Sequence, residues 1–123
     1  MIQSPTQDIS RERDLLSFVY DAFNRRDIDS ILVRVLPDVE WPNGREGGWV
    51  HGRDGVCAYW TRQWGMVDPH VEPIRFESDN QSRIVVSVHQ IVRDLTGAML
   101  LDRMVQHVYA IEDGLIRRME IRE

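Results

Sequence analysis

Arg83-Ile84-Val85-Val86-Ser87-Val88-His89-Gln90-Ile91-Val92-Arg93-Asp94 is the stretch that decides the fold of this chain. It alternates, is rich in valine and holds neither glycine nor proline, as a long sheet strand requires. Thr96-Gly97 turns it into Ala98–Ile111, and Asp113-Gly114, a strong hairpin signal, leads into Leu115–Arg122. Upstream, Val71–Glu77 reads as another strand, joined through the polar turn Ser78–Ser82. The two central strands exceed the usual length of about five or six residues. Antiparallel strands of that length twist and curl, so one sheet face becomes concave.

The helices are confined to the first half. From Ser10, placed as an N-cap, Leu15, Leu16, Phe18, Val19, Ala22 and Phe23 recur at helical spacing. A second helix is predicted over Ile28–Leu36 with Pro37 ending it, and the short link Arg25-Arg26-Asp27 folds the two into a hairpin. Val39-Glu40-Trp41 reads as a short strand that stops at Pro42, and Asn43–Gly48 as a loop. Asp54 is placed to cap a third helix with Val56, Tyr59, Trp60 and Trp64 on one face; Gly65 closes it and Asp68-Pro69 marks the break. Helices first and strands afterwards give an α+β fold. Three helices resting on the concave face would leave a deep, mostly apolar pocket. Residues 1–8 read as a flexible tail and residues 9–123 as one domain.

Composition narrows the chemistry. The 123 residues are 42% hydrophobic and 28% charged, as in an ordinary globular domain. Acidic residues number 20 against 15 basic ones, a net charge of −5 with no basic run, which argues against nucleic acid as a partner. No apolar stretch approaches the roughly 20 residues that cross a bilayer, and the first residues lack a secretory pattern. A cytoplasmic protein without membrane contact is expected. Every basic residue is arginine, so Schiff-base chemistry and a Walker lysine are excluded. The lone Cys57 allows no internal disulfide. His51, His70, His89 and His107 show no metal-ligand spacing, so no metal is expected. Gly44-Arg45-Glu46-Gly47-Gly48 carries an acid and no lysine, so it is not read as a phosphate cradle.

Four short motifs carry a resemblance. Phe23-Asn24-Arg25-Arg26-Asp27-Ile28 joins the first two helices, Val39-Glu40-Trp41-Pro42 forms the first strand, and His51-Gly52-Arg53-Asp54-Gly55-Val56 opens helix three. His107-Val108-Tyr109-Ala110-Ile111-Glu112-Asp113-Gly114-Leu115-Ile116 forms the last hairpin. In this order they resemble the nuclear transport factor 2-like superfamily, and within it the SnoaL-like branch of polyketide cyclases related to ketosteroid isomerase. The resemblance runs from about Arg11 to Arg122 and implies a cone: a curved, mainly antiparallel (mixed) sheet with three helices on its concave face. It also implies a cofactor-free site and pairing of two chains through the convex face. There Val85, Ile91, Met104, Val108 and Ile116 would otherwise form an exposed apolar patch.

Laid on that fold, alternation assigns a concave set including Trp41, Val88, Gln90, Arg103, His107, Tyr109 and Met119, with Tyr20, Tyr59, Trp60 and Trp64 closing the cavity from the helices. Trp41 holds the place of the isomerase's carboxylate base, and Glu40 points to the other face, so steroid isomerase activity is not expected. His107 falls where the isomerase-like enzymes carry an oxygen-stabilising acid, and its usual pKa near 6.5 suits proton exchange. The competing role is a core or rim histidine bonded to a neighbour. Arg103 is a candidate to hold a carboxylate or enolate oxygen, against a rim arginine paired with Asp102 or Glu120. Trp41, Trp60 and Trp64 are flat walls for a ring, or plain core. Trp49 reads as a lid or an exposed side chain.

Two functions remain. One is a cofactor-free enzyme doing proton-transfer chemistry (cyclisation, isomerisation, dehydration or hydrolysis) on a small hydrophobic, ring-containing molecule. The other is a non-catalytic ligand-binding or dimeric assembly module with the same pocket.

Overall fold

A computed structural model describes residues 8–44 and 46–123. The expected tail over residues 1–8 lies, apart from Asp8, outside the described residues, as does Arg45 of the glycine-rich loop. Helices α1 (Ser10–Asn24) and α2 (Ile28–Leu32) are followed by strands β1 (Val35–Pro42) and β2 (Trp49–His51) and then by helix α3 (Gly52–Trp64). Strands β3 (Val67–Ser78), β4 (Ile84–Asp94), β5 (Met99–Glu112) and β6 (Leu115–Arg122) complete the chain. The six strands form one curved, unclosed sheet in the order β2-β1-β6-β5-β4-β3, parallel only between β1 and β6. Among the described residues no helix is long and apolar enough to cross a membrane.

Three boundaries differ from expectation. The second helix stops after one turn at Leu32, and β1 runs on through Pro37 to Pro42. β3 begins at Val67, passes through Asp68-Pro69, where the sequence suggested a break, and continues through Pro73. It is an edge strand, so a proline there costs a ladder bond only where its nitrogen would face β4. At the helix starts, Ile9 and His51 occupy the caps. Ser10 instead bonds to Asp8 Oδ1 through its N–H at 3.0 Å and its hydroxyl at 2.6 Å. Asp54 sits in the first turn of α3, where a negative charge faces the positive helix end.

The link between α1 and α2 fastens the helices to the sheet. Asn24 Nδ2 donates to the Val71 carbonyl at 2.8 Å and its Oδ1 accepts the Val71 N–H at 3.0 Å, so one side chain replaces a neighbouring strand at that position. Arg26, held at a φ of 64°, pairs with Asp68 of β3 and lies 5.0 Å from the Trp64 ring. Asp27 caps α2 by accepting from Ser30 N–H. Asp113 and Gly114, at φ 54° and 77°, make the tight β5–β6 turn. Gly52 also has a positive φ, with the Pro37 carbonyl oxygen 3.4 Å from where a Cβ would sit.

Single extra residues break the strict alternation. Register shifts leave Ile74 unpaired in β3, Leu100 in β5 and Arg117 in β6. An extra residue reverses the facing of everything beyond it. Ile116 is therefore core, fully buried opposite Ile111, and not part of an outer patch. Val85 and Val108 are also buried, at 7% and 1% exposure, which leaves Met104 as the strongly exposed member of the five. Polar pairs lie around it, His89–Asp102, His70–Glu72, Arg75–Glu77 and Arg118 between Glu40 and Glu120, with the half-exposed Trp49 ring against Arg118.

The Asn24 clamp gives the first expected outcome. Asn24→Ala should lower the unfolding free energy by about 1–3 kcal/mol, the range for two lost side-chain hydrogen bonds. Asn24→Asp keeps the acceptor and loses the donor, so it should fall between wild type and alanine or below both if the new charge meets the Val71 carbonyl. Urea titration followed by tryptophan fluorescence measures it; two variants as stable as wild type would show the clamp to be idle.

Candidate functional site

The concave face and the helices enclose a cavity of about 370 Å³. Trp41 of β1, Val19, Tyr20 and Phe23 of α1, and Tyr59 and Trp60 of α3 make its aromatic and aliphatic wall. Trp41 meets Trp60 edge-on at 5.1 Å, and Phe23 meets Trp60 edge-on at 5.6 Å. Such contacts hold flat rings at fixed angles. Tyr59 is buried, and its hydroxyl accepts the Gly44 N–H at 3.2 Å, which ties the loop after β1 to α3 at the cavity rim.

Three polar groups lie deep in this apolar surround. Tyr109 donates to the Tyr20 hydroxyl at 2.9 Å, and that hydroxyl lies 2.8 Å from His107 Nδ1. All three residues are buried. Tyr20 and His107 are stacked, with ring centroids 5.9 Å apart and planes 11° from parallel. Tyr109 donating to Tyr20 leaves the Tyr20 proton to Nδ1 as its one partner in the series; this arrangement, in which every hydroxyl proton of the series is bonded, puts the ring proton on Nε2. Nε2 makes no protein hydrogen bond among the described residues, and His107 lines the cavity.

Burial, and then the positive charge of Arg103, lower the His107 pKa from 6.5 to about 4. The imidazole is thus neutral at physiological pH, away from the near-neutral titration anticipated for it. Burial and the neighbouring Tyr109 push the Tyr20 hydroxyl well above its ordinary range, and burial does the same to Tyr109. None of the three ionises at neutral pH. The relay is a set of neutral donors ending in one N–H that faces the hollow.

Arg103 and Gln90 also line the cavity. Arg103 Nε donates to Gln90 Oε1 at 3.1 Å and Nη1 to Glu123 Oε1 at 3.1 Å. The partners anticipated for Arg103 are engaged elsewhere, Asp102 by His89 and Glu120 by Arg83 and Arg118. Glu40 pairs with Arg118, on the face away from the cavity as anticipated. No aspartate or glutamate is among the described lining residues. Met119 adds an apolar wall from β6.

Two sequence candidates are elsewhere. Val88 is fully buried in the core, because alternation gives facing and not depth along a strand. Trp64 packs on Phe23 at 5.1 Å and Trp60 at 6.0 Å, behind the wall rather than in it. Trp49 belongs to β2, with the Arg118 guanidinium 4.1 Å over its ring, and is not a lid. Several lining residues went unread. Val67, Pro69 and Val71 alternate inward along β3, a pattern masked by the apparent break at Asp68-Pro69. Leu100 and Leu101 both line the cavity, since the extra residue at Leu100 turns two neighbours the same way. Gln63, on the last turn of α3, is polar at a helix end and gave no signal. Among the described residues no three His, Cys, Asp or Glu side chains cluster as metal ligands.

The family model for the SnoaL-like domain matches residues 18–119. A search of curated proteins gives no match. Among solved structures, an NTF2-like protein of unknown function from Burkholderia pseudomallei is 27% identical, covers 91% of this chain and 89% of its own, and superposes with a TM-score of 0.79. TerC co-crystallised with polyporic acid is 28% identical, with coverage of 91% and 90% and a TM-score of 0.78. An LEH-like epoxide hydrolase from M. tuberculosis, 16% identical over 91% of this chain and 81% of its own, shares the fold with a TM-score of 0.76.

The lowered histidine pKa has a consequence for stability. Below pH 6.5 the unfolded chain takes up a proton at His107 that the folded chain refuses until about pH 4. The folded state therefore loses stability as pH falls through this window, by roughly 3 kcal/mol for a shift of this size. His107→Gln should remove that part of the slope between pH 6.5 and 4 while retaining an acceptor for Tyr20. Denaturant unfolding of both proteins across the window measures the difference; parallel curves would place the imidazole in water.

Proposed function

The chain belongs to the SnoaL-like domain family, and we propose that it is a cofactor-independent enzyme acting by proton transfer on a small, ring-containing, oxygenated molecule held in the cone. The observation that carries this reading is the buried Tyr109–Tyr20–His107 relay, whose open end faces a cavity walled by aromatic rings. A volume of about 370 Å³ suits a molecule of two or three rings and lies within the usual span of ligand sites. The likeness to TerC, crystallised with polyporic acid, supports an oxygenated ring compound as the class of ligand.

The chemistry follows from what the relay holds. A neutral imidazole with its proton on Nε2 donates to a carbonyl or hydroxyl oxygen of the substrate and polarises it. Negative charge growing on that oxygen strengthens the bond from Nε2, whose proton stays on the ring because losing it would leave an anion among buried tyrosines, and Tyr20, bonded to Nδ1, fixes the ring plane throughout. The described lining offers no carboxylate to strip a proton from carbon. The reading therefore favours dehydration or cyclisation of a readily enolised substrate, in which polarising an oxygen is the main demand. It disfavours the isomerase's carboxylate-driven proton shift.

The missing carboxylate also supports the second reading, a binding module without turnover. Thermal-shift and turnover screens with cyclic ketones and hydroxyquinones, run on wild type, His107→Gln and Tyr20→Phe, separate the two. Catalysis predicts that His107→Gln lowers kcat by about 10²-fold or more, as for loss of a positioned oxyanion donor, while ligand-induced stabilisation changes little. Tyr20→Phe should show a smaller loss. Turnover retained in His107→Gln would overturn the assignment; stabilisation by ligands without turnover in wild type would favour the binding module.

A further inference from the structure

Arg103 is the one cation among the described lining residues that is charged at neutral pH. It lies on β5 four residues before His107 and on the same face, about 13 Å away along the strand at ~3.3 Å per residue. Gln90 Oε1 accepts from Nε and orients the guanidinium without neutralising it. Nη2 makes no protein hydrogen bond among the described residues. The compensating charge comes from Glu123, just after β6, which lies outside the cavity lining and keeps 77% of its side chain exposed. An ion pair that open to water is weak and exchanges readily.

We infer that the Arg103 guanidinium, braced by Gln90, is a recognition site for an anionic oxygen group (a carboxylate or an ionised enol) on the ring-containing ligand, with Glu123 as a displaceable occupant. This rests on the reading of the cavity as a ring-binding site and adds the charge of the ligand to it. A planar guanidinium offers a carboxylate two parallel donors, whereas the present contact with Glu123 uses Nη1 alone. An incoming anion that engages Nη2 as well, against apolar walls, makes a stronger pair than the one it replaces. The ligand would then be gripped at two ends, its anionic group by Arg103 at one and an oxygen by His107 at the other.

Matched probes test this. Binding of 2-naphthoate and of neutral 2-naphthamide is measured by tryptophan quenching and calorimetry on wild type, Glu123→Gln and Arg103→Gln. Wild type should prefer the naphthoate. Glu123→Gln should tighten naphthoate by about two- to fivefold, the equivalent of the exposed pair it removes, and leave naphthamide unchanged. Arg103→Gln should weaken naphthoate by roughly tenfold or more, the usual value of a charge-assisted bond, and affect naphthamide little. If naphthamide binds and the naphthoate-to-naphthamide ratio is the same in all three proteins, the anion site is overturned and the ring-binding reading survives. If neither probe binds wild type, both fall together. Arg103→Gln that weakens the two probes equally would make Arg103 a structural residue and also overturn the inference.

Discussion

Polar groups buried under an apolar roof need partners, and Tyr109, Tyr20 and His107 Nδ1 find them in one another. Tyr109, Tyr20 and His107 do so in series, and this shapes the site more than any other contact. The series joins helix α1 to the middle of β5, so the depth at which the helix rests and the tautomer of the histidine are set by the same pair of bonds. Burial keeps the imidazole uncharged, and the positive charge of Arg103 opposes its protonation further. A neutral donor at the bottom of a greasy hollow is a different instrument from a histidine that titrates near neutrality. The functional reading follows that difference.

Much of this architecture was legible in the chain. The valine-rich alternation of β4, the Asp113-Gly114 turn and the apolar stripe of α1 each reflect a local preference that agrees with the global fold. His107, Tyr109, Trp41, Tyr20, Tyr59, Trp60, Gln90, Arg103 and Met119 line the cavity; strand parity and helical period split each element into two faces, and the family resemblance indicated which face is concave. The bonds between them were not legible. That Tyr20 reaches His107 depends on how far α1 sinks into the cone, a tertiary distance that no spacing encodes.

The misread positions have shared physical causes. Ile116 was placed outside and Leu100 left out because one extra residue in a strand reverses its parity, and nothing in Arg117 or Leu100 itself announces a bulge. The beginning of β3 was lost because proline is a breaker in most settings but is tolerated at a sheet margin, and a margin is a property of topology. Val88 and Trp64 were assigned to the right side at the wrong depth. Asn24 sat within a recognised motif, yet its role needed the Val71 backbone to be brought beside it from 47 residues away.

That asparagine has a wider consequence. A sheet margin with free amide and carbonyl groups invites another strand to add to it, and so invites uncontrolled stacking of one molecule on the next. In β3 the invitation is withdrawn twice, by prolines that lack the N–H and by a side-chain amide already seated on Val71. Strand addition along Pro69–Pro73 is thereby opposed, so the stretch of this border that lies beside the hollow is a poor seed for fibres.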